Sequence, residues 1–120
     1  IDTLSSFSDV IELPSIPDHL NHAYYRLYGN IKNHSLRKGW TRDKIINEIN
    51  DRGVPCFSGS CPEIYNEKAF INSNLGPSNR LPNAKLLGEG SIAFLCHPTL
   101  RLKDLKFIKK NIVEVLKKAT

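Results

Sequence analysis

The run Arg52-Gly53-Val54-Pro55-Cys56-Phe57 constrains the fold of this chain more than any other. Ahead of it, Thr41 stands as an N-cap, Asp43 falls in the first turn, and Ile45, Ile46 and Ile49 form one helical stripe. Gly53 fits the left-handed position that follows a helix, with Arg52 in the last turn. Pro55 lacks an amide hydrogen, so the short apolar run after it reads as an edge strand. Beyond Phe57 the chain loses its period, and residues 58–80 read as a long irregular loop anchored by Tyr65 and Phe70.

Residues 22–32 alternate. Ala23, Tyr25, Leu27 and Ile31 fall on one side, and His22, Tyr24, Arg26, Tyr28 and Asn30 on the other, which predicts a strand with a polar, aromatic second face. That face reads either as the wet side of an antiparallel sheet or as a surface against another domain or a ligand. Pro82 opens a short helix to Leu87, ended by Gly88. Ser91 to Cys96 is apolar on both faces, as a central strand is. A last helix runs from Leu102 to Lys118, with Leu105, Ile108, Ile112, Val115 and Leu116 as its buried stripe.

The order predicts an α/β chain arranged as a two-layer α+β sandwich. It has a small, mostly antiparallel sheet of about three strands with the helices on one face. The Ser91–Cys96 strand lies between the other two and antiparallel to both. Residues 1–21, with Pro14 and Pro17 and no sustained period, read as an extended lead-in or linker remnant, and residues 22–120 as one domain.

Composition narrows the function classes. A chain of 120 residues is long enough to fold without disulfides or a metal. It holds no apolar run long enough to span a membrane, and its first residues lack the basic and apolar regions of a secretory signal. The absence of an initial Met suggests a piece of something longer. Net charge is +5, but seven basic residues against two acidic ones within 101–120 account for it, so the charge belongs to one helix rather than to a groove. Phe107 is the single aromatic residue among those lysines, too few for a base-stacking platform. Three cysteines make no complete disulfide framework, and Cys56, Cys61 and Cys96-His97 lack standard zinc spacing. They read as small thiols in a reducing cytoplasm.

No catalytic motif emerges. Ser35-Leu36-Arg37-Lys38 matches Ser-x-x-Lys by chance, in a loop with no helix to hold the pair. His19, His22, His34 and His97 show no metal spacing. The Ser58-Gly59-Ser60 turn could offer backbone amides to an anion, though no phosphate-loop helix follows it.

Four stretches carry a resemblance: His22-Ala23-Tyr24-Tyr25-Arg26-Leu27-Tyr28; Gly53 to Phe70; Leu81-Pro82 with Ala84; and Phe94-Leu95-Cys96-His97-Pro98-Thr99-Leu100. In this order and spacing the chain resembles the C-terminal small domain of DegT/DnrJ/StrS-type sugar aminotransferases. The resemblance implies a fold-type-I enzyme whose large N-terminal domain, upstream in the same chain, binds pyridoxal phosphate and supplies the cofactor-bearing lysine. It implies a nucleotide-linked keto-sugar as substrate, a homodimer at full length, and neither nucleic acid nor membrane as partner. No stretch here matches the cofactor-lysine segment, so the chain alone should be inactive and bind no cofactor. By position, the resemblance assigns substrate contacts to Arg26, Ser58, Gly59, Ser60, Glu63 and Tyr65, and no catalytic or metal-binding residue. Family members commonly have a His-Tyr pair where this chain has Ser-Gly-Ser, and Ser or Thr where Arg101 starts the last helix. The alternative reading is a non-catalytic module that meets an anionic ligand or nucleic acid through the Tyr/Arg strand face or the Lys-rich helix.

Overall fold

The computed structural model describes all of residues 1–120. Its helices are α1 (Asp2–Ser5), α2 (Arg42–Asn50), α3 (Lys68–Asn72), α4 (Pro82–Gly90) and α5 (Leu102–Ala119). Its strands are β1 (Ile11–Glu12), β2 (Arg26–Ile31), β3 (Cys56–Phe57) and β4 (Ser91–Leu95). The sheet order is β1-β2-β4-β3, and every neighbouring pair is antiparallel. β4 is therefore central, flanked by β2 and by the short edge strand after Pro55, as its two-sided apolarity requires.

α2 owes its position to both of its ends. Thr41 Oγ1 accepts the Lys44 amide at 3.1 Å, one of the first-turn donors that no helical carbonyl can reach. At the far end Val54 N–H donates to the Ile49 carbonyl at 3.3 Å and Gly53 N–H to Asn50 at 2.8 Å. This is the Schellman pattern, and Gly53 sits at φ +77° to allow it. The Asn50 side chain then accepts the Cys56 amide and donates to the Cys56 carbonyl, both at 2.9 Å. It thus stands in for a neighbouring strand beside β3.

The core lies between one sheet face and the pair α2 and α5. Ile45 and Ile49 from α2, Val115 and Leu116 from α5, and Ile31, Ile92 and Phe94 from the sheet form one buried cluster. α5 buries Ile112, Val115, Leu116 and Ala119 and exposes its lysines, as its periodicity requires.

Five expectations change. The sheet has four strands rather than three, because Ile11 pairs with Ile31 and Glu12 with Asn30. A two-residue strand is too short for its period to show in sequence. The supposed lead-in therefore joins the core, with Leu4, Val10 and Ile11 buried. β2 begins at Arg26, not residue 22, because the His22 ring nitrogen Nδ1 accepts the Tyr24 amide at 2.9 Å and Tyr24 turns to φ +48°. α4 continues through Gly88 to Gly90. Gly88 serves close packing, since a β-carbon there would collide with the Pro62 ring. Leu105, placed on the buried stripe by periodicity, is 48% exposed.

The start of α5 is settled by Asp104, whose carboxylate accepts the Arg101 amide at 2.9 Å, while Thr99 Oγ1 is taken by His97 Nδ1 at 2.7 Å. No helix is long and apolar enough to cross a membrane.

Candidate functional site

The second sheet face carries the candidate site. Register places Arg26 opposite Leu95, and Tyr28 and Phe57 on either side of Ala93. Ala93 is buried, yet Phe57 and Leu95 stay 41% and 43% exposed. The Arg26 guanidinium lies 5.3 Å from the centroid of the Phe57 ring and 5.7 Å from that of Tyr25. A cation held over aromatic faces is partly desolvated and fixed in direction while its donors remain available. His22 and Tyr24 do not extend this face. Their rings pack with centroids 4.3 Å apart and planes tilted by 46°, ahead of β2.

The Ser58-Gly59-Ser60 turn folds back onto the same face. Gly59 has φ +90°, and a β-carbon there would lie 2.7 Å from Ser91 Oγ and 3.3 Å from Tyr28 Cε1. Only glycine allows both the backbone conformation and the close approach. Arg42 fastens the turn from the other side. Its Nη1 donates to the Ser91 carbonyl at 2.6 Å and to the Ser58 carbonyl at 3.5 Å, and its Nε meets Asp43 at 2.7 Å. Sequence reasoning missed Arg42. The available signal was its position, because a cation in the first turn opposes the helix dipole and needs another reason to be there. Ser58 and Ser60 are left exposed on a turn pinned from two sides.

Glu63 and Tyr65 form a buckle instead of pointing outward. Glu63 accepts Arg80 Nε and Nη2 in a two-pronged pair, each at 2.6 Å, and the Tyr65 hydroxyl at 2.6 Å. The Tyr65 oxygen in turn accepts the Leu81 amide at 3.0 Å, just ahead of α4. The Arg80 bonds, and then the Tyr65 bond, pull the Glu63 carboxyl down to about 2. Desolvation and the bond to Glu63 raise the Tyr65 hydroxyl. The Glu63 side chain is only 14% exposed, so its lone pairs are occupied within the domain. The structure thus brings Arg26 and Gly59 to one face, leaves Ser58 and Ser60 exposed on the turn beside Gly59, and gives Glu63 and Tyr65 to the loop's closure.

The thiols are spread out. Burial pushes Cys56 up to about 12, which makes it an inert core group. Cys61 is exposed and is raised chiefly by its bond to Glu67. No charged side chain is buried anywhere, so no lysine sits in the shielded, cofactor-sized site that a covalently bound pyridoxal phosphate requires. The residues present do not fit that group by themselves.

Solved structures give the chain its relatives. It is similar to the aminotransferase from Psychrobacter cryohalolentis, at 44% identity and a TM-score of 0.91 over 98% of this chain and 32% of that one. It shares the fold of a DegT DnrJ EryC1 StrS aminotransferase from Brucella abortus, at 18% identity and a TM-score of 0.71 over 94% of this chain and 28% of that one. NtdA from Bacillus subtilis, solved with bound cofactor PMP, matches at 15% identity and a TM-score of 0.73 over 98% of this chain and 26% of that one. No family model matches the chain, and no curated protein does. The chain spans about a third of the length of these solved relatives or less. Its sequence is similar to that of an aminotransferase along nearly its whole length, and it shares its fold with aminotransferases of the DegT/DnrJ/EryC1/StrS type.

Proposed function

We propose that the chain is the C-terminal small domain of a pyridoxal-phosphate-dependent aminotransferase that acts on a nucleotide-linked keto-sugar. The observation that carries this reading is the 44% identity to the Psychrobacter cryohalolentis aminotransferase over 98% of the chain. The bound PMP of NtdA supports the choice of cofactor. Pyridoxal phosphate acts as an electron sink when bound, and the lysine that carries it belongs to the large domain upstream. This chain's part is substrate-side contact and closure, within a homodimer.

Each site residue has a task under this reading. Arg26, steered by Phe57 and Tyr25, meets the anionic or hydroxyl-rich part of the substrate. Ser58 and Ser60 offer hydroxyls that both donate and accept, which suits a sugar ring. Gly59 brings the backbone close. Glu63 and Tyr65 position the turn by holding its far end to Arg80 and Leu81. Rigidity matters because contacts to a substrate are useful only when their geometry is set beforehand.

The test uses the full-length protein that contains this chain, supplied with pyridoxal phosphate, glutamate and a nucleotide-linked keto-sugar. Amino-sugar formation is expected, and Arg26→Ala should raise KM by about tenfold or more, the loss of one charged contact. The 120-residue chain alone should show no aldimine absorbance beyond the spectrum of free pyridoxal phosphate. A band that borohydride bleaches, leaving a modified lysine in this chain, would overturn the division of labour.

A further inference from the structure

The second sheet face continues past the Ser58–Ser60 turn into a cleft of about 460 Å³. Register builds its floor. Glu12 stands opposite Asn30, and Asn30 opposite Ser91, so one polar row crosses β1, β2 and β4 on a single face. Tyr28 borders the row on the side of Arg26, and Ser15 and Leu87 are among its other walls. Tyr28 and Ser91 are also the residues that a β-carbon on Gly59 would strike, so the turn and the cleft form one continuous surface.

The charge of the cleft differs from that of the Arg26 end. No lysine or arginine lines it, and its one carboxylate, Glu12, has no ion-pair partner. Such a wall repels phosphate and accepts hydrogen bonds from hydroxyl groups. Asn30 adds an amide with an unmet bond. Its Oδ1 is the one buried side-chain polar atom without a hydrogen bond. That oxygen and the Ile31 carbonyl both crowd the point where a β-carbon on Gly90 would stand, so only glycine lets the amide lie there. A half-turn of the amide gives its nitrogen to the Ile31 carbonyl and its oxygen to the cleft. Arg42 already holds the Ser91 carbonyl at 2.6 Å, which leaves the Ser91 hydroxyl for an occupant.

A carboxylate, an amide and a hydroxyl beside an aromatic ring, with no cation, suit an uncharged ring that bears hydroxyls. Asn30 lies four residues along β2 from Arg26, roughly 13 Å at about 3.3 Å per residue. A ligand that is anionic in one part and uncharged in another can touch both ends. We propose that the cleft is a second subsite, which binds an uncharged, hydroxyl-bearing ring of the substrate while Arg26 takes its phosphate. This rests on the reading of the chain as part of a sugar aminotransferase, and it sets the direction in which the ligand lies on the sheet. The ring is the hexose or the ribose of a nucleotide-linked sugar, which share this chemistry.

The test measures calorimetric binding of UDP, dTDP and GDP, and of their hexose-linked forms, to the full-length protein. Glu12→Gln keeps the shape of the side chain and removes its charge. It should change Tm little, because Glu12 is exposed and unpaired, and should weaken the preferred hexose-linked nucleotide about tenfold. Ser91→Ala should weaken it at least about threefold. If Glu12→Gln spares the nucleoside diphosphate, the hexose is the occupant; equal weakening of both ligands assigns the ribose. Unchanged affinity for both ligands in Glu12→Gln would overturn the proposal, even if Ser91→Ala fails to fold. So would a tenfold gain in diphosphate affinity in Glu12→Gln, since the cleft would then hold phosphate. Transamination of a nucleotide-linked keto-sugar with unchanged affinities would sink the subsite and leave the aminotransferase reading intact. Weakened binding in a protein that does not transaminate would do the reverse.

Discussion

Glu63 shows how one side chain can serve a site without facing it. Its carboxylate closes a loop across seventeen positions to Arg80, while Tyr65 carries the closure on to the start of α4. The folded-state pKa of about 2 lies below the ordinary value of 4.5, so the charged form favours the fold. That contribution is fully present above about pH 4.5 and is lost as pH falls toward 2. Glu63→Gln should therefore flatten the fall of Tm between pH 6 and pH 3, a range that spans the shift, while lowering Tm at neutral pH. Superimposable acid profiles for the two proteins would show that the pair contributes nothing. The anchoring role of Tyr65 was legible, as an aromatic in an otherwise polar stretch. Arg80 was not, because its partner is set by the path of a loop with no period. Arg42 escaped for a similar reason: its use depends on two carbonyls brought to it by tertiary structure.

At the scale of elements, legibility follows how local the determinants are. Both ends of α2 could be read because Thr41 and Gly53 act within a few residues of themselves. Thr41→Ala should cost about 1 kcal/mol, the usual value of an N-cap. Urea denaturation at constant m-value would measure it, and an unchanged midpoint would mean that the helix is held by packing alone. The edge position of β3 was likewise written in Pro55. β2 was read too long, because alternation from His22 ignores the capture of the Tyr24 amide by a side chain two residues earlier. α4 was read too short, because Gly88 looked like a terminator when its lack of a side chain makes room for Pro62. Glycine has several uses, and its sequence neighbours do not distinguish them.

For the whole molecule, the central place of β4 follows from that strand's two-sided apolarity, whereas two-residue β1 is too short to carry a period. Ile11 is 2% exposed, so the first dozen residues are structural. Ile11→Ala should destabilise the domain by about 2–5 kcal/mol, as large-to-small changes in a core do. A loss below about 0.5 kcal/mol, typical of surface positions, would return the segment to the status of a linker. The candidate site was partly legible. Arg26 and the Ser58–Ser60 turn stood out by position, but the aromatic rings that steer Arg26 and the cation that pins the turn depend on tertiary structure. In the proposed enzyme this face closes on a substrate held by a larger domain. A crystal structure of the full-length protein with a nucleotide-sugar bound tests it most directly. Arg26 or a Ser58–Ser60 donor should lie within about 3.2 Å of a ligand oxygen, a hydrogen-bond distance. A bound nucleotide-sugar lying elsewhere, with the Arg26 face open to solvent, would contradict it.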